Sequence, residues 1–264
     1  MDAKEAEGSR RPARLTKGRA TAFALATLAI VLCWYAAQID IGRLINGLPR
    51  LAGWIAAGWP PETAGLPLLL WRAVETVAMA TLGSLLGVLI AAPVCILAAR
   101  NITPEPWLYH PARAILNFLR GIDSFVFALI FVAAVGLGPF AGVIGIGLHS
   151  AGIVAKLWSE QIETAPPGPL EAAALTGASR FKLLVFSVLP DSMPGLSSAV
   201  LYTWESNVRS STVLGIVGAG GLGQELKNAV DLLNFHRVIT IIAITLIMVT
   251  IIDQISAYLR RKLM

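Results

Sequence analysis

Residues 171–190 read Glu-Ala-Ala-Ala-Leu-Thr-Gly-Ala-Ser-Arg-Phe-Lys-Leu-Leu-Val-Phe-Ser-Val-Leu-Pro. The first half is small and polar. It lies between apolar runs near 138–158 and 195–217, each long enough to cross a membrane. Pro166-Pro-Gly-Pro169 precedes it and stops one element before another starts. Pro169 suits the first turn of a helix, where a missing N–H costs nothing. Glu171 then sits near the positive end of that helix. Ala172, Ala173 and Ala174 add strong helix preference with little bulk. Gly177 suits the point where the helix ends or turns. The stretch reads either as an ordinary amphipathic connector or as a smooth helix that lies in a groove on a partner, with one carboxylate as its polar anchor.

Working outward, the rest of the chain is membrane-like. Of 264 residues, 56% are hydrophobic and only 14% are charged, against about 25% charged in soluble domains. Such a chain could not cover a water-facing surface. Six segments are apolar enough to span, at roughly 20–37, 73–98, 114–136, 138–158, 195–217 and 237–258. Gly136-Leu-Gly-Pro139 makes a tight turn between the third and fourth. The run at 20–37 is longer than a signal-peptide core and lacks an Ala-x-Ala site, so it reads as an uncleaved first span. The fold class expected is all-α and polytopic. Residues 1–19 form a basic cytoplasmic tail, 38–71 an external surface segment, and 72–260 the core. Trp54, Trp59 and Trp71 suit a membrane boundary, so 38–71 reads as a surface stretch with a short amphipathic helix.

Lys and Arg placement sets the orientation. With both ends inside, fourteen fall on the cytoplasmic side: Lys4, Arg10, Arg11, Arg14, Lys17, Arg19, Arg100, Arg113, Lys156, Arg180, Lys182, Arg260, Arg261 and Lys262. Arg43, Arg50, Arg72, Arg209, Lys227 and Arg237 are assigned to the other side, and Arg120 lies near a span end. This arrangement puts 159–194 in the cytoplasm. Cys33 and Cys95 both read as buried free thiols. No His/Cys/Asp grouping has metal-ligand spacing.

Glu171, Ala172, Ala173, Gly177, Leu189 and Pro190 match the spacing of the "EAA" loop. On that loop the chain resembles a type I ATP-binding-cassette (ABC) importer permease over approximately 70–260. More narrowly it is similar to phosphonate/phosphate-uptake permeases. That likeness rests on Asn117-Phe-Leu-Arg120, Val135-Gly-Leu-Gly-Pro-Phe140, Lys156-Leu157 with Glu160, Glu205-Ser-Asn-Val-Arg209, Thr212–Gly223 and Asp253-Gln-Ile-Ser256. The Thr212–Gly223 phrase also occurs in permeases for methionine and osmolytes. Two positions depart from the pattern. Arg120-Gly-Ile-Asp123 lacks the usual proline, and Ser187 replaces an apolar residue.

The resemblance implies an assembly in the cytoplasmic membrane of a prokaryote. Two copies of the chain would form the pathway as a homodimer among membrane lipid. The 160–194 loop of each copy would dock on one of two ATPase subunits. An external substrate-binding protein would deliver phosphonate, phosphate or a related oxyanion. It implies no cofactor on this chain, with ATP and Mg on the ATPase partners, and no nucleic-acid partner. The chain would be a non-catalytic subunit driven through alternating access.

Gly218-Ala-Gly220-Gly221-Leu-Gly223 fits the dinucleotide fingerprint, but a span precedes it and position 243 is Ala where an acid is needed. The glycines read either as a plain outer loop or as a close-packed gate meeting its twin. No G-x-x-x-x-G-K-[ST] occurs.

Charges within spans require a partner or water. Glu205 and Arg209 share a helical face four residues apart. Ser210, Ser211 and Thr212 follow, and Arg with hydroxyls suits a phosphoryl or phosphonyl oxyanion. Together with Asn207 this region reads either as pathway lining or as a structural ion pair. Arg120–Asp123 reads as a structural pair, Arg72–Glu75 as an interfacial pair worth little, and Asp253 as a partner of the basic tail. An ion-coupled transporter or channel acting alone would use such charges too, but leaves the 171–190 loop unexplained. A membrane enzyme lacks any nucleophile, metal or paired-carboxylate set.

Overall fold

A computed structural model describes residues 17–103, 105–165, 168, 175, 177 and 180–263. Nearly all are helical, and none of the described residues forms a strand. By contact, the chain divides after Trp54 into two compact units.

The first unit holds α1 (Lys17–Ala36) and most of α2 (Ile41–Ala57). The two helices bend by 51° at the break between them. Asp40 causes the restart, because its carboxylate accepts from Arg43 N at 3.0 Å and caps α2. Ile41, Leu44, Ile45, Leu48 and Leu51 recur at helical spacing and form one apolar face of α2. The side chains of α1 are exposed through its apolar length, including Cys33, which the sequence reading had buried. In a span, such exposure faces lipid.

The second unit contains α3 (Leu66–Ala98), α4 (Pro106–Gly121), α5 (Ser124–Val135) and α6 (Pro139–Glu163). It continues with a short α7 (Arg180–Leu183), a π turn (Leu184–Val188) and α8 (Leu189–Leu214). A second π turn (Gly215–Ala219), α9 (Gly221–Asp231) and α10 (Phe235–Leu263) complete it. Among the described residues, α3, α6 and α10 are individually long and apolar enough to cross a membrane. The pairs α1–α2 and α4–α5 pass the same test only when each is taken together. At 26 residues α8 is also long enough, about 39 Å. Its apolar character is diluted by the polar residues described below.

The stretch 114–136 is not one straight span. It breaks into α4 and α5, which meet at 85°. Asp123 makes the break: its carboxylate accepts from Phe125 N at 2.8 Å and caps α5. Asp123 is therefore a cap and not the partner of Arg120. No ion pair of Arg120 occurs among the described residues.

The bend lets both halves press on α6, which lies at the centre. An added Cβ at Gly145 would stand 2.8 Å from Ala128 N in α5, and one at Gly152 2.5 Å from Arg120 N in α4. One at Gly87 of α3 would stand 2.7 Å from Ser150 Cβ. Small residues thus bring three helices to backbone distance of α6, where packing replaces the hydrophobic effect as the cohesive force. Leu82, Leu85 and Leu89 of α3 and Ile242, Leu246, Ile247 and Ile251 of α10 are exposed. These faces match hydrocarbon.

Candidate functional site

Two regions carry the predicted site residues. In the first, Glu171, Ala172 and Ala173 lie outside the described residues. Gly177 is described and takes φ 71°, a left-handed turn that glycine adopts without strain. Leu189 and Pro190 open α8, where the proline's missing N–H costs no hydrogen bond. Leu175 and Phe186 flank this turn with 90% and 79% of their surface exposed.

The chain enters the turn from a clamp that the sequence did not reveal. Arg113 Nη2 binds Glu163 Oε1 at 2.7 Å, and Arg113 Nε donates to Ala98 O at 2.9 Å. Arg100 N also donates to Glu163 Oε1, at 2.8 Å. The ring of Tyr109 stacks under the same guanidinium at 5.2 Å. The ends of α3 and α6 are therefore locked to the middle of α4 at the point where the loop leaves.

The second region runs along α8. Glu205, Arg209 and Thr212 fall on one face by their spacing of four and three. Arg209 Nη1 lies 3.3 Å from Glu205 Oε1 and 3.2 Å from Asp253 Oδ1 in α10. Arg260 Nη2 holds the other oxygen of Glu205 at 3.0 Å. The four charges thus form an alternating row, Asp253–Arg209–Glu205–Arg260. Asp253 was expected to pair with the basic tail, but it pairs with Arg209 of α8. Arg209 and Asp253 side chains remain 45% and 42% exposed, whereas Glu205 is nearly enclosed.

Asn207 points the other way. It is buried, and its Nδ2 donates to Ser84 Oγ and Ser150 Oγ, both at 2.8 Å. It ties α8 to α3 and α6. Ser211 is also buried, with its Oγ 2.8 Å from Val208 O and 3.2 Å from Thr76 O. These two residues are structural by position. Ser210 is partly exposed. Thr212 Oγ1 is sealed from solvent and has no hydrogen-bond partner among the described residues.

The glycine run follows. Gly218 and Gly220 take φ 93° and 85°, which reverses the chain between α8 and α9. Gly218 O accepts from Gly138 N at 2.9 Å. An added Cβ at Gly220 would meet Glu75 Oε1 at 2.6 Å, and one at Gly221 would strike Thr76 Oγ1. Thr76 Oγ1 accepts from Leu222 N at 2.9 Å. The run is packed inside its own chain, and only Val213 and Ile216 beside it are well exposed. No strand leads into it, so the dinucleotide reading has no structural support.

Arg72 and Glu75 are joined at 2.7 Å as predicted, but the pair belongs to a larger cluster. Glu225 of α9 lies 3.5 Å from Arg72 Nε and 2.7 Å from Arg237 Nη2. The cluster ties α3, α9 and α10. Sequence spacing offers no signal for it, because Glu75 and Glu225 are brought together only by the fold.

An all-helical bundle with a broken second core helix, a polar row along α8 and a turn between α6 and α8 is the architecture of a membrane permease. Residues 83–264 match the family described as binding-protein-dependent transport system inner membrane component. HtxC of Stutzerimonas stutzeri, a phosphite transport permease by provisional name, is 51% identical over 231 residues, spanning 88% of this chain and 82% of that protein. The phosphite transport system permease protein PtxC of the same organism is 38% identical over 89% of this chain and 85% of its own. The phosphate-import permease protein PhnE of Mycolicibacterium smegmatis is 40% identical over 77% of this chain, but that match spans only 38% of PhnE. The fold matches a chain of the MetNI methionine ABC transporter in an inward-facing form with a TM-score of 0.68. That match has 24% identity and covers 77% of this chain and 100% of the other. The chain belongs to the family of binding-protein-dependent transport system inner membrane components, and it is a type I ABC-importer permease.

Proposed function

We propose that this permease carries phosphite, phosphate or a phosphonate inward through a pathway bordered by the Arg209 face of α8. The observation that carries this reading is the Arg209–Asp253 pair. It bridges α8 and α10 along apolar helices and is still nearly half exposed. Exposure to lipid would cost about 2.5–3.5 kcal/mol per charge on insertion scales, so this face meets water or a second copy. The names of HtxC, PtxC and PhnE support the same chemical class.

The working unit is two copies of this chain, two ATPase subunits and an external binding protein. ATP and Mg belong to the ATPases. Both termini of the permease are cytoplasmic, as the Lys and Arg distribution favours. Glu171, Ala172, Ala173 and Gly177 form the docking element, and Leu189 and Pro190 pass its movement into α8. The exposed Leu175 and Phe186 add apolar contact area at the same place. The Arg113–Glu163 clamp gives the loop a rigid base from which to transmit force.

Two measurements test this. The ATPase should copurify with the wild-type permease and not with Glu171→Lys or Gly177→Asp. Uptake of radiolabelled phosphite or phosphate by the assembled complex should fall at least about tenfold in Arg209→Ala and remain impaired in Arg209→Lys, which lacks a planar fork. Normal uptake by both variants removes Arg209 from the pathway.

A further inference from the structure

We infer that α4 carries an anion-binding station halfway through the membrane, formed by Arg120 and Asn117 at the break before α5. The inference rests on the oxyanion-transport reading above and adds a binding position to it. Depth follows from the contacts with α6. Arg113 is bound to Glu163, the last residue of α6, and the backbone of Arg120 abuts Gly152. Gly152 lies about 17 Å from the Glu163 end of α6 and about 20 Å from its Pro139 end. The 85° break between α4 and α5 falls at the same level. There His149 Nδ1 donates to Ile122 O at 2.8 Å, which satisfies backbone that the break sets free.

The exposed residues of α4 divide into two faces. Trp107, Ile115 and Phe118 lie on one, at helical spacing, and match hydrocarbon. His110, Ala114, Asn117, Arg120 and Gly121 are exposed on the adjoining face. The side chains of Arg120 and Asn117 have no ion-pair or hydrogen-bond partner among the described residues. A bare charge at mid-depth is costly against lipid, and both ends of α6 are farther away than an arginine side chain reaches. The polar face therefore borders water. A helical side chain leans toward the preceding turn, so the guanidinium of Arg120 lies over Asn117, three residues before it. The two offer a flat fork for two oxygens of a tetrahedral anion, beside an amide that donates to a third oxygen or accepts from its hydroxyl. Neighbouring charges leave the fork free. Asp123 is engaged by Phe125 N at the positive end of α5, and Lys156, one turn along α6 from Gly152, is tied to Glu160.

The test is thiol labelling of the permease–ATPase complex in lipid vesicles, with Cys33→Ser throughout. Gly121→Cys puts a thiol one turn beyond Asn117, where a Cβ has nothing within 4 Å. Ala114→Cys puts one on the same face a turn earlier, and Phe118→Cys one on the apolar face. A charged methanethiosulfonate reagent should label Gly121→Cys and Ala114→Cys at least about tenfold faster than Phe118→Cys, because only a thiol in water forms the reactive thiolate. Saturating inorganic phosphate or phosphite should slow labelling of Gly121→Cys at least about threefold, since a bound anion covers and repels the thiolate. Adding Arg120→Gln should abolish this protection, while slow labelling of Phe118→Cys in the same background shows the bundle intact. Labelling on the polar face as slow as that of Phe118→Cys overturns the inference, as a carboxylate of a second copy seated on Arg120 would produce. So does fast labelling that neither anion slows, or protection that survives Arg120→Gln. Uptake by the same vesicles with the binding protein present checks the transport reading separately. No uptake of phosphate, phosphite or phosphonate refutes that reading, whereas uptake without Arg120-dependent protection refutes the station alone.

Discussion

Replacing Gly223 with alanine tests how the glycine run is packed. Alanine is favoured over glycine in a helix by up to about 1 kcal/mol, so propensity alone predicts stabilisation in α9. The structure predicts the opposite. The new Cβ would collide with Thr212 O and approach Gly215 Cα at 2.9 Å. Both are backbone atoms where α8 runs into the second π turn, so neither can rotate away as a side-chain tip would. Forcing extra carbon into a packed contact costs about 1–3 kcal/mol, and rigid neighbours put this site at the upper end. The net loss is about 2 kcal/mol. For a chain of this size that lowers the melting temperature by about 4–8 °C.

The protein supplies its own probe. Cys95 is buried and becomes reactive only on unfolding, whereas Cys33 is exposed and is removed by Cys33→Ser. A thiol-reactive dye then reports melting of the core through Cys95. Gly53→Ala in α2, where a Cβ has nothing within 4 Å, is the control and should not lower the transition. A Gly223→Ala protein that melts at or above the parent temperature would refute the packing argument.

Two other substitutions follow from the buried polar contacts. Asn207→Ala should destabilise by about 1–2 kcal/mol, since it breaks two interhelical hydrogen bonds that average about 0.6 kcal/mol each in membranes and leaves a small void. The same melting assay measures it, and a variant that melts with the parent would show the two bonds to carry no weight. Glu225→Ala should cost about 1–3 kcal/mol, because Arg237 loses its carboxylate while Arg72 keeps Glu75. That estimate is reduced for the partial exposure of both arginines. Glu225→Gln should recover part of the loss, and equal melting of all three proteins would show the cluster to be neutral.

The membrane class was legible early because hydropathy is a local property that long apolar runs report directly. The left-handed turn at Gly177 and the helix start at Leu189-Pro190 were legible because glycine and proline act on the backbone where they stand. The break in 114–136 had a visible signal, Gly121 followed by the cap pair Asp123-Ser124, which the surrounding apolar residues masked. Cys33 illustrates a different limit. Apolar surroundings in sequence mean burial in protein or in lipid, and composition does not separate the two.

By itself the sequence determined a helical membrane protein, the long apolar spans of α3, α6 and α10, and the chemical character of α8. Local propensity and hydrophobic length are sufficient for each of these. Only the tertiary structure decided who pairs with whom: Arg209 with Asp253, Arg113 with Glu163, Glu225 with Arg72 and Arg237, and Asn207 with two serines. Those partners lie between 12 and 153 positions apart in the chain or on separate helices, and no periodicity links them. Their proximity is set by how closely the small residues of α3 and α6 let the helices approach. The same packing turned Asn207 inward and left Arg209 partly exposed, although the two are only two residues apart. A helix advances 100° per residue, so neighbours on α8 face different surroundings once the bundle is assembled.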